Sequence, residues 1–503
     1  MRRAFWTAVV AAWLGLAASG ASAATLRIGL QEDPDALDPA TSGFFVTRVV
    51  FAAMCDKLID LDAGMNLVPQ LATAWTWSPD GRALTIAIRP GVVFHDGEQL
   101  DAAAVKANLD RYRAAPESRR KTEVKAIETV EIVDELTVRL RLGEPNVPLL
   151  AVLADRAGIM MSPKALAAFG DRIATQPVCA GPFRFVRRVA QERIELARFE
   201  RYWNAGAIHV DDIVYTIIPD TTVRLANLRA GQLDLVERLP ASDVATIRAD
   251  ARLRLIAGPA VAFQLLSINV ANGVKADTPL GRDARVREAL ELAIDRATIN
   301  RVVFEGEFVP SNQAEAPGTR FYNNAHPVPA GDVARARALL REAGHARVAF
   351  SLKVINSPVE TQLAQVLQAM AAEAGFDMRI EAVEATAHFA ATQRGDYEVA
   401  IAPWSGRADP DGNISVWLQC DGFINWGKYC NPALDGLLAQ ARAVTDLVRR
   451  QDLYRQVSEI YLRDRPVIFL HHVKWLWAAS TKLDGFTPMP DGLIRPQGIR
   501  LAN

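Results

Sequence analysis

Histidine and cysteine are scarce in this chain, seven and four residues in 503, and the scarcity narrows the chemistry it can perform. There is no G-x-S-x-G, no H-E-x-x-H, no G-x-x-x-x-G-K-[ST] and no G-x-G-x-x-G, so the usual nucleophile elbow, zinc-protease, P-loop and dinucleotide signatures are missing. His471-His472 lies in an apolar, strand-like run, where neighbouring side chains point to opposite faces and do not share a metal. His95 follows Phe94 at a turn and reads as a hydrogen-bonded turn residue. Asp409-Pro410-Asp411-Gly412-Asn413 lacks the frame and closing Glu of a calcium loop and reads as a turn. No metal or cofactor is expected, and no catalytic residue.

Other absences concern partners and location. No basic run with interleaved aromatics tracks a nucleic-acid backbone, and there is no low-complexity linker or internal repeat. Arg2 and Arg3 precede an apolar run from Ala4 to about Ala18, followed by Ala21-Ser22-Ala23, the layout of a secretory signal peptide over residues 1–23. That run is shorter than the ~20 residues of a membrane span, and no later stretch reaches this length without charge. No Cys stands at the cleavage point for a lipid anchor. A soluble, exported chain follows, periplasmic and not membrane-inserted. Without Arg2 and Arg3 the balance of 57 basic and 58 acidic residues becomes 55 and 58, a net charge of −3.

The four cysteines, Cys55, Cys179, Cys420 and Cys430, allow three pairings in an oxidising compartment. Local closure favours Cys420 with Cys430, leaving Cys55 for Cys179. Four free buried thiols is the alternative. Neither pair has zinc-ligand spacing.

What the chain does contain is a well-marked unit from Leu67 to Asp110. Leu84, Ile86 and Ile88 alternate with Thr85, Ala87 and Arg89, a strand with one buried face. Ser78-Pro79-Asp80-Gly81 and Pro90-Gly91 bracket it as turns. Asp96-Gly97 then leads to Asp101, an N-cap for a helix burying Val105, Leu109 and Tyr112. Elsewhere, Thr25–Leu30 reads as a strand, Val46–Leu61 as a helix, Thr129–Leu142 as two strands split at Asp134-Glu135, and Phe183–Phe199 as a hairpin. From Ile213 onward helices dominate: Thr221–Ala230, one long helix over Arg282–Gly306, Asp332–Gly344 and Glu360–Gly375. Phe263–Val270 and Val467–Ser480 are apolar strands at the two ends of the helix-rich part. At about 480 mature residues, more than one domain is expected.

The string L.P.LA..W..S.DG..LT..IR.GV.FHDG between Leu67 and Gly97 resembles the signature of the family 5 extracytoplasmic solute-binding proteins of ABC importers, the peptide, opine and nickel group. RVREALELAIDRATINRVVFEG, from Arg285, resembles that family's most recognisable helix, and the likeness runs through nearly the whole mature chain. It implies an α/β, two-lobed periplasmic-binding-protein fold with a hinge of two crossing strands and an extra strand-rich subdomain in the first lobe. The lobes would be 24–264 with 479–503, including a subdomain of about 46–200, and 265–478.

The implied function is capture of a small peptide-like or amino-acid-derived solute and its delivery to an ABC permease with its ATPase subunits, by a monomer without enzymatic activity. Opine or nickel-chelate binding is the alternative within the family; a periplasmic hydrolase or a peptide-binding chaperone is the alternative outside it. Resemblance places the 403–417 segment on the second lobe facing the cleft, which makes Trp404, Arg407 and Asp409 candidate ligand contacts, with Trp417 and Phe44 as further aromatic candidates. Dipeptide-binding members carry an acid just after W-[ST]-G, where this chain has Arg407. A guanidinium there suits a carboxylate rather than an ammonium, while Asp409, two residues on, is placed to take an amino group; the W-S-G-R-x-D-P-D-G-N run resembles branches that include glutathione-type binders, which suits a ligand with more than one carboxylate.

Overall fold

The computed structural model describes residues 24–258 and 261–502; the signal peptide expected over residues 1–23 lies outside the described residues. Two large sheets and one small sheet organise the chain. The first has seven strands in the order Leu253–Gly258, Trp475–Ser480, Leu235–Val236, Thr25–Leu30, Asp212–Ile217, Arg193–Arg198, Phe183–Val189. The second has six, ordered Val309–Pro310, Val467–His472, Phe263–Ile268, Val399–Trp404, Val348–Ile355, Phe376–Val383. The small sheet is antiparallel and orders Ala72–Trp77, Ala83–Ile88, Thr137–Leu142 and Ile127–Asp134.

Burial follows the side-chain patterns. Thr25–Leu30 runs parallel to Asp212–Ile217 in the centre of its sheet, and Leu26, Ile28 and Leu30 are fully buried. In the small sheet Leu84, Ile86 and Ile88 are buried, and with helix Ala102–Ala114, which supplies Val105, Leu109 and Tyr112, they form a separate core. Asp101 caps that helix by accepting from the amide of Ala104 at 2.8 Å, and Gly97, at φ +88°, closes the preceding turn onto Phe94, a conformation that costs glycine little. The second sheet is covered on both faces. Helices Ala284–Ala293, Arg296–Val303, Val333–Glu342 and Pro358–Ala374 pack on one, and Pro432–Ala443 and Leu447–Asp464 on the other.

Three elements differ from the sequence reading. The helix expected over Arg282–Gly306 is two, because Asp295 turns its carboxylate onto the amides of Ala297 and Thr298 and starts a new helix. Val46–Leu61 is helical only over Phe45–Met54, and Ile59–Leu61 pairs as a strand with Leu67–Pro69. Val467–Ser480 is two strands in different sheets. The chain therefore passes from first sheet to second between Gly258 and Phe263, and returns between His472 and Trp475. The two passages touch: the amide of Val473 donates to the carbonyl of Ala262 at 2.9 Å. Cys55–Cys179 and Cys420–Cys430 are disulfides. The first joins the end of helix Phe45–Met54 to the segment entering Phe183–Val189.

Candidate functional site

Strand Val399–Trp404 ends beside the passages between the sheets, and the chain then runs through Ser405–Pro410 into helix Asp411–Leu418. This loop is held by Asn413, which is 2% exposed. Its Oδ1 accepts from Trp404 Nε1 at 3.2 Å and from the Arg407 amide at 2.7 Å, while Nδ2 donates to the Arg407 carbonyl and to Glu315 Oε1, both at 3.1 Å. Both donors and both acceptor positions of the amide are used. Gly406 sits at φ +76° with its Cα against the first passage, where a Cβ would come within 2.4 Å of the Val261 carbonyl. The Arg407 guanidinium then lies 4.3 Å from the centre of the Trp404 ring, a cation–π distance.

This loop forms one wall of a cavity of about 370 Å³, within the size range of small-molecule sites. Trp404, Arg407, Asp409, Asp411, Gln419 and Phe423 come from the second-sheet side; Glu123, Glu128, Glu144, Pro148, Val152 and Asp155 face them from the small-sheet side. The ring closed by Cys420–Cys430 carries Asp421, Gly422 and Phe423 to the wall. Opposed charges tie the walls and their backing together. Asp155 Oδ1 accepts a hydrogen bond from Arg48 Nε at 2.9 Å, and Oδ2 lies 2.9 Å from Arg407 Nε as an ion pair. Burial alone would raise the Asp155 carboxyl, but Arg407 and Arg48 outweigh it and hold it well below the ordinary carboxylate range. Asp409 is gripped by both terminal nitrogens of Arg450, at 2.9 and 3.0 Å, and Asp411 by Arg442 at 2.9 Å. Arg48 also donates to Ser405 Oγ at 3.1 Å.

Of the residues singled out from sequence, Trp404, Arg407 and Asp409 line this cavity together. Trp417 is 2% exposed and stands behind it, edge-on to Trp404 at 6.2 Å and to Trp426 at 5.4 Å. Phe44 precedes helix Phe45–Met54 and packs against the first-sheet core, outside the lining. Arg407, expected to present a guanidinium to solute, already carries a carboxylate partner in Asp155. That partner is 252 residues away in sequence, and no local pattern marks it. Asn413 could have been noticed, since an Asn closing D-P-D-G-N just inside a helix is suited to bonding back to its loop.

The histidines lie elsewhere. His471 packs on Phe304 and Phe308, and His472 on Phe263 while its Nε2 meets the Gln313 carbonyl at 3.2 Å. Burial pushes them down to about 3 and about 4, so both are neutral. His95 Nε2 lies 3.0 Å from the Gly181 carbonyl. Among the described residues no group of three His, Cys, Asp or Glu side chains is arranged to hold a metal ion, and no helix is long and apolar enough to cross a membrane.

Two covered sheets joined by two adjacent passages, with a charged cavity walled from both sides, define a solute-binding protein of the periplasmic-binding-protein type. The chain belongs to the bacterial extracellular solute-binding proteins of family 5, whose middle-region model matches residues 66–425, and is accordingly a binding protein rather than an enzyme. It is 32% identical over 476 residues to the glutathione-binding protein GsiB of Pectobacterium atrosepticum, covering 91% of this chain and 90% of the relative. It superposes with TM-score 0.86 and 25% identity on the A. tumefaciens protein AgaA in complex with agropinic acid, over 95% of this chain and 99% of that one. The same score and identity hold for the ABC transporter-associated periplasmic binding protein DppA of Helicobacter pylori in complex with a peptide, over 95% and 98%.

Proposed function

We propose that the protein is the periplasmic solute-binding component of an ABC importer, taking a small peptide-like or amino-acid-derived solute into the cavity beside Trp404 and handing it to the membrane permease. One lobe comprises 24–258 with 475–502, carrying the small sheet as a subdomain, and the other comprises 263–472. The passages between them, linked by the Val473–Ala262 hydrogen bond, serve as the hinge. Such proteins act by closing on their solute, so the solute must make contacts in the closed form that it lacks in the open one.

The observation that carries this reading is the set of contacts that bring the two sides of the cavity together, Arg407–Asp155 and Arg48–Ser405, which supports closure about the two passages. Trp404, Arg407 and Asp409 are assigned to the solute, and Trp417 supports Trp404. GsiB's likeness over nine-tenths of the chain favours a glutathione-like peptide; AgaA's favours an opine as second reading.

Isothermal calorimetry with glutathione, a dipeptide series and agropinic acid tests it. Saturable one-to-one binding of one class, with the solute recovered unchanged, is expected. Steady release of a cleaved product would overturn the binding role.

A further inference from the structure

Access from solvent separates the two disulfides. Cys55 is 3% exposed and Cys179 0%, and Cys179 is held in backbone pairing with Met161 while its carbonyl accepts from the His95 amide at 2.8 Å. Cys430, by contrast, is exposed and Cys420 half-buried. Thiol–disulfide exchange begins when a thiolate reaches a disulfide sulfur, so the exposed bond is open to a reductant and the buried one is closed to it.

What Cys420–Cys430 holds is an edge of the cavity. Residues 424–429 of its ring are anchored without it. Ile424 and Trp426 are buried, the Ile424 amide donates to the Val416 carbonyl and the Ala271 amide to the Gly427 carbonyl, both at 2.9 Å, and Asn425 Nδ2 donates to the Tyr429 carbonyl at 2.6 Å. Asp421, Gly422 and Phe423, which line the cavity, are exposed or half-buried. Asp421 pairs with Lys125 on the facing side at 3.0 Å, a contact between exposed groups that holds little by itself. On the other side of the bond, Cys430 precedes Asn431, the cap of helix Pro432–Ala443. The far end of that helix is tied to the same wall by Arg442, which donates to Asp411 at 2.9 Å and to Gln419 Oε1 at 2.6 Å. The disulfide is the near tie between helix and cavity edge, and Arg442 is the far one.

We propose that Cys420–Cys430 is a reversible redox site, reduced by an external dithiol while Cys55–Cys179 stays oxidised, and that its reduction loosens the cavity edge at Asp421–Phe423. A thiolate of the dithiol attacks Cys430 Sγ, the exposed sulfur; the bond to Cys420 breaks and a mixed disulfide forms. Cys420 leaves as a thiolate next to Asp421 and close to Asp435, whose carboxylate oxygens lie 3.3 and 3.4 Å from the Cys420 amide nitrogen. Two acids there disfavour a lasting negative charge, so the sulfur takes a proton from water. The second thiol of the dithiol then displaces Cys430, which is protonated in turn. The dithiol ends as a disulfide and both cysteines as thiols, two electrons and two protons having passed to the protein. Once the ring is open, the edge must be ordered again each time solute binds, and affinity falls. That last consequence rests on the cavity being the solute site; the selective reduction does not.

The test treats the folded protein with dithiothreitol in the absence of denaturant, quenches with iodoacetamide and maps the peptides. Cys420 and Cys430 should be alkylated and Cys55–Cys179 recovered intact. Hydrogen exchange in the reduced protein should quicken over residues 419–423 and stay unchanged over 424–429. Affinity for S-methylglutathione, which has no thiol of its own to exchange, should fall about three- to tenfold on reduction and recover on reoxidation. Cys420→Ser/Cys430→Ser should match the reduced protein and ignore dithiothreitol. Alkylation of all four cysteines together, no alkylation without denaturant, unchanged exchange over 419–423, or equal affinity of the two redox forms would overturn the proposal. Should S-methylglutathione bind neither form, the glutathione-like reading falls, and the alkylation and exchange results decide the redox site without it.

Discussion

Asn413 bears more of the site's geometry than either charged residue beside it. Replacing it with Ala strands the Trp404 indole N–H, the Arg407 amide and the Glu315 carboxyl in partly or fully buried surroundings, and a loss of about 2–4 kcal/mol is expected in urea denaturation, together with weakened solute binding. Asn413→Asp keeps the two acceptors but sets a second carboxylate against Glu315. Glu315 itself is pushed up to about 7 by burial, partly offset by Asn413. An acid raised in the folded state holds its proton after the unfolded chain has lost it, so its stabilising contribution is full below pH ~4.5 and is lost as pH rises to 7. Glu315→Gln should therefore flatten the decline of stability between pH 4.5 and 7, measured as melting temperature against pH. An unchanged slope would show that Glu315 titrates normally. Their place after a strand was enough to group Trp404, Arg407 and Asp409 on one loop, and all three line the cavity, yet nothing in the sequence pointed to Asp155 or Glu315, because pairing between residues far apart in the chain leaves no periodic trace.

The two disulfides act on elements of different reach. Cys55–Cys179 spans 124 residues of sequence and Cys420–Cys430 spans 10, so chain-entropy reasoning assigns about 5 kcal/mol to the first and about 3 to the second. Cys55→Ser/Cys179→Ser should lower the melting temperature more than Cys420→Ser/Cys430→Ser, while the latter should affect solute affinity more, since its ring supports Asp421, Gly422 and Phe423 at the cavity. Differential scanning calorimetry and titration on both variants check the order. Strands with one buried face, such as Ala83–Ile88, were readable from alternation. The break at Asp295 was not, because Val286, Leu290, Ala293 and Ile294 lead up to it at helical spacing, Ile299 and Val303 take up a helical spacing beyond it, and only the capping carboxylate marks the new start. Val467–Ser480 misled for a related reason: a run buried nearly throughout gives no sign of changing sheets.

For the molecule as a whole, solute that binds only the native, closed form should stabilise it by about 2.7 kcal/mol at 100 times its dissociation constant, seen as a rise in melting temperature that grows with concentration. A shift that saturates far below this would mean that the solute also binds unfolded chain. The change from strand-rich to helix-rich composition was legible in the sequence, whereas the points at which the chain leaves the first sheet and returns to it were not, since the residues there are as apolar as the strands they join.

The insertion of Trp475–Ser480 between Leu253–Gly258 and Leu235–Val236 sets a timetable. Synthesised amino-end first, the chain completes most strands of its first sheet early, yet that sheet has a missing rung until residue 480 has been made. Arg495, which clasps Asp60 at 2.7 Å and Asp491 at 2.8 Å, arrives later still. The part of the protein made first is thus finished last, and its first sheet closes only when Trp475–Ser480 takes its place between two strands laid down more than two hundred residues earlier.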